Sequence, residues 1–288
     1  MSPDEIIGQL ISESLTRTAR RPLFVGLCGA QGSGKSTIAQ TLAARFPRCA
    51  ALSLDDLYLT RAERIALSQD VHPLFATRGV PGTHDMTLGL ATFDALAEGR
   101  AVRLPRFDKG ADDRAPANDW PAAPFQCDLV LFEGWCVGAA PQTEGALLDP
   151  INALERVEDG DGRWREAVNK ALGGAYQTLF ARLDTLILLA APDWETVGRW
   201  REEQEARLRE NAPDAPQLMS EAAVTRFIAH YERLSRHILD EMPDRADLVL
   251  WLNPDRSCSR VQRATRGDDV RSGGGRGPTD SSQVSDVE

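Results

Sequence analysis

The 288-residue sequence is poor in lysine, histidine and cysteine, and it lacks any long apolar run. Only three of its 33 basic residues are lysine, and two of these, Lys35 and Lys109, fall within the motifs described below. The five cysteines are odd in number and show no C-x-x-C spacing, which argues against a disulfide framework or a zinc site. The longest strongly apolar run, at 186–191, is far too short to span a bilayer. We therefore expect a soluble, cytoplasmic protein.

The composition is that of an ordinary globular protein with an acidic surface. Hydrophobic residues make up 42% and charged residues 26%, which excludes disorder of the whole chain and a collagen-like repeat. The formal net charge of −10 repels phosphate backbones, so we do not expect nucleic acid as a partner. A small anionic ligand is compatible with this charge, because a few local cations outweigh a distant net charge. A small anionic partner therefore remains possible.

Short apolar runs alternate with helical patterns along most of the chain, which predicts an α/β fold with a mostly parallel sheet flanked by helices. A polar, proline-rich stretch at 106–124 predicts a long loop, and 138–162 has no regular pattern. We predict a single domain over 1–254. The remainder, 255–288, has no aromatic residue and is rich in glycine and charge, so we predict a disordered tail. The predicted strands are 23–28, 50–54, 128–132, 185–189 and 248–252.

One segment matches the P-loop pattern G-x-x-x-x-G-K-[ST]. Its glycines let the backbone wrap closely around phosphates, and the N-terminus of the following helix adds a positive dipole. In such loops the lysine, here Lys35, reaches the β- and γ-phosphates, and the hydroxyl of Ser36 is offered to Mg²⁺. The sequence therefore predicts a nucleotide site. Its expected residues are Gly29, Ala30, Gln31, Gly32, Ser33, Gly34, Lys35, Ser36 and Thr37.

Acidic residues stand at the ends of two predicted strands. Asp55 and Asp56 follow the second strand, and Glu133 follows the third. Parallel strands present their carboxyl ends to one crevice, so we expect these carboxylates to converge with Lys35. Carboxylates at such a place can accept an alcohol proton and help to hold Mg²⁺. A helix cap or a solvated loop remains the alternative for the aspartates, and a plain strand-end carboxylate for Glu133. The spacing does not decide which aspartate acts as the base.

Together these residues make the chain resemble the phosphoribulokinase/uridine kinase/pantothenate kinase group of P-loop kinases, and within it the D-glycerate 3-kinase family. The resemblance runs from about 24 to 252. The sequence has Leu57 where related kinases often carry Phe, and the tail has no recognisable counterpart. The stretches that carry the resemblance are Gly29–Thr37, Ser53–Tyr58, Arg78–Asp85, Leu104–Lys109 with Asp113–Pro116, Leu131–Trp135 and Trp200–Glu205.

The resemblance implies a P-loop NTPase fold with a helical lid, and an enzyme that uses ATP and Mg²⁺ to phosphorylate a small alcohol, D-glycerate, to 3-phosphoglycerate. It implies that Asp55 deprotonates the acceptor hydroxyl and that Glu133 and Ser36 lie beside Mg²⁺. It also implies that Lys35 and a lid arginine, for which Arg201 is the candidate, stabilise the transferring phosphoryl group. The substrate-side residues that it implies are Tyr58, His84, Asp85, Arg106, Lys109 and Arg114.

Several of these roles have rivals in the sequence itself. Glu–Arg pairs four residues apart run along the predicted lid helix, which is also typical of a salt-bridged solvent face. Arg201 stands out there because the position four residues before it is Val197. His84 is equally compatible with a structural role, and the cations of 103–114 with a solvated basic loop. Two other functions also stay open. They are a related kinase acting on another sugar acid, a nucleoside or a pantothenate-like alcohol, and a nucleotide-dependent regulator without a phosphate acceptor.

Overall fold

A central sheet of six strands organises the chain. The computed structural model describes residues 1–211 and 220–264. The strands of the described residues are β1 (Leu23–Gly29), β2 (Cys49–Ser53), β3 (Phe107–Asp108), β4 (Asp113–Arg114), β5 (Leu129–Gly134), β6 (Thr185–Ala190), β7 (Leu248–Leu252) and β8 (Cys258–Arg263). The order in the large sheet is β2-β5-β1-β6-β7-β8, and β3 pairs only with β4. All neighbours in the large sheet are parallel except β8, which runs antiparallel to β7. The predicted mostly parallel α/β fold is confirmed.

Helices cover both faces of this sheet. Strand β1 is buried along its whole length and sends alternate side chains into two separate apolar clusters. The helices of the described residues are α1 (Pro3–Arg17), α2 (Lys35–Arg45), α3 (Arg61–Asp70), α4 (Met86–Ala97), α5 (Ala153–Glu158), α6 (Arg163–Ala171), α7 (Gln177–Phe180), α8 (Trp194–Asn211) and α9 (Glu221–Glu241). One cluster packs α1, α2 and α8 against the sheet, and the other packs α4, α7 and α9.

The parallel strands bring the predicted site residues to one edge of the sheet. Strand β1 ends at Gly29, where the P-loop begins, and β5 carries Glu133 at its carboxyl end. Strand β2 ends at Ser53, in register with Glu133. A short 3₁₀ helix over Leu54–Leu57 follows β2 and carries both aspartates. The predicted convergence at this edge therefore follows from the register of neighbouring strands.

The predicted disordered tail is wrong over Cys258–Arg263, which forms the edge strand β8. Its side chains are mostly exposed, so the sequence carries no alternating apolar pattern. Backbone pairing with β7 holds this strand instead. The rest of the tail, 265–288, lies outside the described residues. Three further elements lack a sequence signal that we recognised: α1, α5 and the β3–β4 hairpin inside the predicted loop.

A helix that spans a membrane is both long and apolar. Within residues 1–211 and 220–264, no helix combines the necessary length with the necessary apolar character.

Candidate active site

The P-loop joins β1 to α2 in a tight turn that depends on glycine. Gly32 and Gly34 have φ angles of 78° and 88°, a region that side chains rarely occupy. A Cβ on Gly32 would lie 2.4 Å from the Cβ of Trp200, so α8 packs directly on this loop. Helix α2 begins at Lys35 and its N-terminal dipole points to the turn. The loop thus has the backbone form that receives phosphates.

Ser36 and Glu133 form the side of the site suited to a metal ion. The Ser36 hydroxyl donates to Oε1 of Glu133 at 3.0 Å. The Oε2 atom of Glu133 is buried and lacks a hydrogen-bond partner among the described residues. A buried carboxylate oxygen without a donor is costly unless a cation or water satisfies it. Hydroxyl and carboxylate oxygens are also the ligands that Mg²⁺ prefers, so this pair fits the ion that the sequence predicted.

Asp55 lies between two hydrogen-bond donors. Lys109 Nζ contacts its Oδ2 at 2.6 Å, and the Tyr58 hydroxyl donates to its Oδ1 at 2.9 Å. Burial alone would raise the pKa of Asp55. The charges of Lys109 and Lys35, with the two hydrogen bonds, outweigh that burial and hold the pKa well below its usual range. Asp55 is therefore ionised throughout the physiological range and able to accept a hydrogen bond from an alcohol.

Asp56 has different hydrogen-bond partners from Asp55. Its Oδ2 accepts from Arg106 at 3.0 Å, and its Oδ1 accepts from the backbone N–H of Phe107 at 3.2 Å. These bonds tie Asp56 to the β3–β4 hairpin. Burial raises the pKa of Asp56, and Arg106 and the Phe107 N–H offset this only in part. Asp55 lines the same cavity as Lys35 and Asp56 does not, so Asp56 is the less suitable base of the pair.

A cavity of about 290 Å³ collects the reactive groups. A groove of about 720 Å³ between α5 and α9 is larger, but none of the P-loop residues or the strand-end acids lines it. We therefore assign the site by its chemistry and not by its volume. The smaller cavity is lined by Gln31, Gly32, Lys35, Ser36, Asp55, Tyr58, Arg78, Lys109, Arg201, Gln204, Glu205, Phe227 and Tyr231.

Of the predicted substrate-side residues, Tyr58 and Lys109 line this cavity. Arg106 is engaged with Asp56 and lies outside its lining. Arg114 donates to Asp85 at 2.9 Å, and Asp85 also caps α4 by accepting from a backbone N–H. These two residues therefore anchor the start of α4 behind the cavity wall. Internal carboxylates therefore hold two of the arginines in the basic stretch at 103–114.

His84 lies one layer behind the cavity. Its ring stacks on Tyr58 with centroids 4.5 Å apart, and its Nδ1 lies 2.6 Å from the hydroxyl of Tyr176. Burial lowers the pKa of His84 to about 3, against a small opposing effect of Asp55, so the ring is neutral. In this position His84 supports Tyr58, which in turn holds Asp55. His84 therefore acts on the cavity only through Tyr58, which lines it.

Helix α8 places Arg201 at the cavity. Its guanidinium pairs with Glu205 at 3.0 Å and lies 5.4 Å from the ring centroid of Phe227. Both side chains of the pair are nearly buried, at 14% and 2% exposure, so this face of α8 is not a solvated salt-bridge ladder. Glu205 stands four residues after Arg201, so the spacing of acids before arginines along α8 did not indicate this pair. The movement of α8 as a lid stays a prediction.

Several cavity residues escaped the sequence reasoning. Arg78 lines the cavity, and one of its Nη atoms contacts Asp112. Its backbone oxygen accepts from the hydroxyl of Tyr231 at 3.2 Å. Arg78 begins one of the stretches that carry the family resemblance, which was its only signal. Tyr231 belongs to the apolar stripe of α9, so the sequence pattern predicts a core residue. Its position on the helix does not reveal that its hydroxyl reaches the site.

Among known proteins, the sequence is similar to several kinases. The model of the phosphoribulokinase/uridine kinase family matches residues 24–140, which include the P-loop, both aspartates and Glu133. The uncharacterized kinase mug58 of Schizosaccharomyces pombe is 35% identical over 249 residues, which are 80% of this chain and 87% of that protein. The chain belongs to the phosphoribulokinase/uridine kinase family of P-loop kinases.

Two relatives named for one activity extend the comparison within this family. The chloroplastic D-glycerate 3-kinase of Arabidopsis thaliana is 32% identical over 225 residues, 73% of this chain. The match spans only 46% of the length of that enzyme. The solved structure of D-glycerate 3-kinase from Cryptococcus neoformans superposes with a TM-score of 0.76 at 24% identity, over 91% of this chain and 99% of that one. At that identity the superposition shows the fold, which is that of a P-loop kinase.

Proposed function

We propose that this P-loop kinase transfers the γ-phosphoryl group of ATP to D-glycerate and forms 3-phosphoglycerate. One observation carries the proposal. The P-loop lysine, Asp55 and two further cations, Lys109 and Arg78, line a single cavity of about 290 Å³. That volume suits a phosphoryl group and a small acceptor. The names of the Arabidopsis and Cryptococcus relatives support D-glycerate as the acceptor.

The donor side of the proposed reaction uses the P-loop. Its backbone N–H groups and Lys35 bind the phosphates of ATP, and Lys35 neutralises negative charge on the transferring phosphoryl group. Arg201 enters the same cavity from α8 and adds a second cation. Ser36 and Glu133 would hold Mg²⁺, which when bound supplies Lewis-acid neutralisation of the phosphate oxygens. The residues of the chain then fix the donor in line with the acceptor.

The acceptor side uses Asp55. Its carboxylate accepts the proton of the attacking hydroxyl and orients the hydroxyl oxygen toward the γ-phosphorus. A weak base suffices, because the transition state of phosphoryl transfer is loose and catalysis depends mainly on positioning and on stabilisation of charge. Tyr58 and Lys109 hold the carboxylate in place at 2.9 and 2.6 Å. Asp55 thus acts more by position than by basicity, which agrees with its lowered pKa.

The acceptor carboxylate needs cations of its own. Lys109 and Arg78 line the cavity on the side of Asp55 and offer a point charge and a planar guanidinium. Only one Nη of Arg78 contacts Asp112, so its other donors are not used by that pair. A fork of two parallel N–H donors matches a carboxylate. We therefore place the acceptor carboxylate at Arg78 and Lys109, and not at Arg106 as the sequence implied.

The experiment is ADP release by the purified protein with ATP and Mg²⁺, with and without acceptor. D-glycerate should stimulate turnover strongly, and glycerol should stimulate it weakly because it leaves the cations of the cavity unpaired. Lys35→Ala, which should keep its fold and lose turnover, is the control for a contaminating kinase. Equal turnover with nucleosides or pantothenate would contradict D-glycerate as the acceptor and assign the enzyme to a related kinase with another acceptor. ATP binding without stimulation by any acceptor would favour a nucleotide-dependent regulator. A cytoplasmic location also stays a prediction.

A further inference from the structure

Arg256 joins three parts of the chain at the edge of the nucleotide site. It lies in the turn between β7 and β8, within the segment for which the sequence predicted disorder. Its Nε donates to the backbone oxygen of Gly32 at 2.7 Å, and its Nη2 pairs with Glu203 at 2.7 Å. Its guanidinium also lies over the indole of Trp200, 5.1 Å from the ring centroid. One side chain thus touches both the P-loop and α8.

The turn that carries Arg256 is itself held firmly. The indole N–H of Trp200 donates to the backbone oxygen of Pro254 at 2.7 Å, and Asn253 N–H donates to the oxygen of Ser257 at 2.8 Å. Arg256 has a φ of 69°, in the left-handed region that residues other than glycine rarely adopt. The local contacts therefore aim this side chain at the P-loop and not at solvent.

The oxygen that Arg256 binds has special importance in a P-loop. A P-loop holds phosphates with backbone N–H groups, and a carbonyl oxygen turned toward the phosphates would repel them. Gly32 stands in the middle of the turn between Gly29 and Lys35, where the peptide direction is unusual because its φ is 78°. The same residue abuts Trp200, since a Cβ on Gly32 would lie 2.4 Å from the Trp200 side chain.

We propose that Arg256 is a positioning residue for nucleotide binding. It holds the Gly32 carbonyl away from the phosphate site and, through Trp200 and Glu203, fixes α8 against the P-loop. Arg201 follows Trp200 directly on α8, so the same contact sets the approach of that arginine to the cavity. The proposal rests on the proposed nucleotide binding at the P-loop and does not depend on which acceptor the enzyme uses.

The test compares ATP affinity in variants that keep the backbone of the turn. Arg256→Gly removes the side chain, and glycine adopts a φ of 69° without strain. Arg256→Asn checks that added chain flexibility is not the cause, because Asn also tolerates this region. We expect both to raise the Kd for ATP by about 10-fold or more, the typical effect of losing a hydrogen bond from a charged group. The KM for the acceptor should change much less.

Arg260→Ala is the matched control. Arg260 lies on β8, with its guanidinium 5.5 Å from the ring centroid of Trp251 on β7, and it donates to Gln262, so its contacts differ from those of Arg256. It should leave ATP affinity unchanged. Glu203→Gln keeps the bond to Gly32 and should have a smaller effect than Arg256→Gly. Calorimetric titration with ATP and a melting curve are measured for each variant. Equal ATP affinity in Arg256→Gly and the wild type would overturn the proposal, as would an equal loss in Arg260→Ala. If the wild type itself does not bind ATP, the proposed function fails instead.

Discussion

We expect replacement of Lys109 by Met to separate acceptor binding from stability. Lys109 contacts Asp55 at 2.6 Å, but its side chain is 59% exposed and that of Asp55 is 30% exposed. Exposed ion pairs contribute only about 0.2–1 kcal/mol to folding. For a chain of this size a loss of 1 kcal/mol lowers the Tm by about 2–4 °C. Lys109→Met should therefore unfold within about 4 °C of the wild type.

The effect on the acceptor should be much larger. A charged hydrogen-bonded contact to a substrate is worth about 1.5–3 kcal/mol, so the KM for D-glycerate should rise about 10–100-fold. The KM for ATP should stay close to that of the wild type. The third lysine, Lys170, is an exposed residue of α6 and provides the matched control. Lys170→Met should leave both KM values unchanged.

The same substitution should also change the pH dependence. In the proposed reaction Asp55 works in its ionised form, so activity should be present above its pKa and be lost as the pH falls through that value. In the wild type the charges of Lys109 and Lys35 hold the pKa low, so activity should persist into acid. Without Lys109 the effect of burial is opposed by less charge, and the acid limb of kcat/KM should move to higher pH.

The assay is coupled ADP release between about pH 4 and 8, where kcat/KM reports groups of the free enzyme and substrate. Comparison of variants at each pH removes the titration of the acceptor itself. An unchanged KM for D-glycerate, together with an unmoved acid limb, would refute the assignment of Lys109 to both the acceptor and Asp55. A Tm lowered by far more than about 4 °C would show that the ion pair is a structural one.

Three further outcomes follow from the site and the sheet. Asp55→Asn should lower kcat about 10²–10⁴-fold with ATP binding retained, whereas Asp56→Asn should act mainly on the Tm; a larger kcat loss in the second variant would reverse the assignment. Arg78→Met should raise the KM for D-glycerate about 10–100-fold and Arg106→Met much less, and kinetics showing the opposite order would restore the sequence-based assignment. Deletion of 258–288 should lower the Tm by several degrees more than a deletion that leaves β8 in place, because it uncovers the edge of β7.

Much of the fold and the donor side of the site could be predicted from the sequence. Buried parallel strands appear in the sequence as short apolar runs. A P-loop is a contiguous motif whose glycines are required by the local backbone geometry. The positions of Asp55 and Glu133 follow from the rule that parallel strands end at one edge. Exposed β8 could not be predicted in this way, since backbone hydrogen bonds to β7 hold it and its side chains carry no pattern.

The sequence by itself determined the course of the backbone at the P-loop, because that feature depends on neighbours in the chain. It also determined the edge at which the acids gather, because parallel strands end at one edge of a sheet. Only the tertiary structure decided which partner each charge has. Arg106 meets Asp56 across 50 positions, whereas Arg78 reaches the cavity beside Tyr231, which is 153 positions away. Arg256 reaches Gly32 across 224 positions. A charge is attracted to whichever opposite charge or oxygen the fold brings within about 4 Å, and that proximity is a property of the packed chain and not of its local pattern.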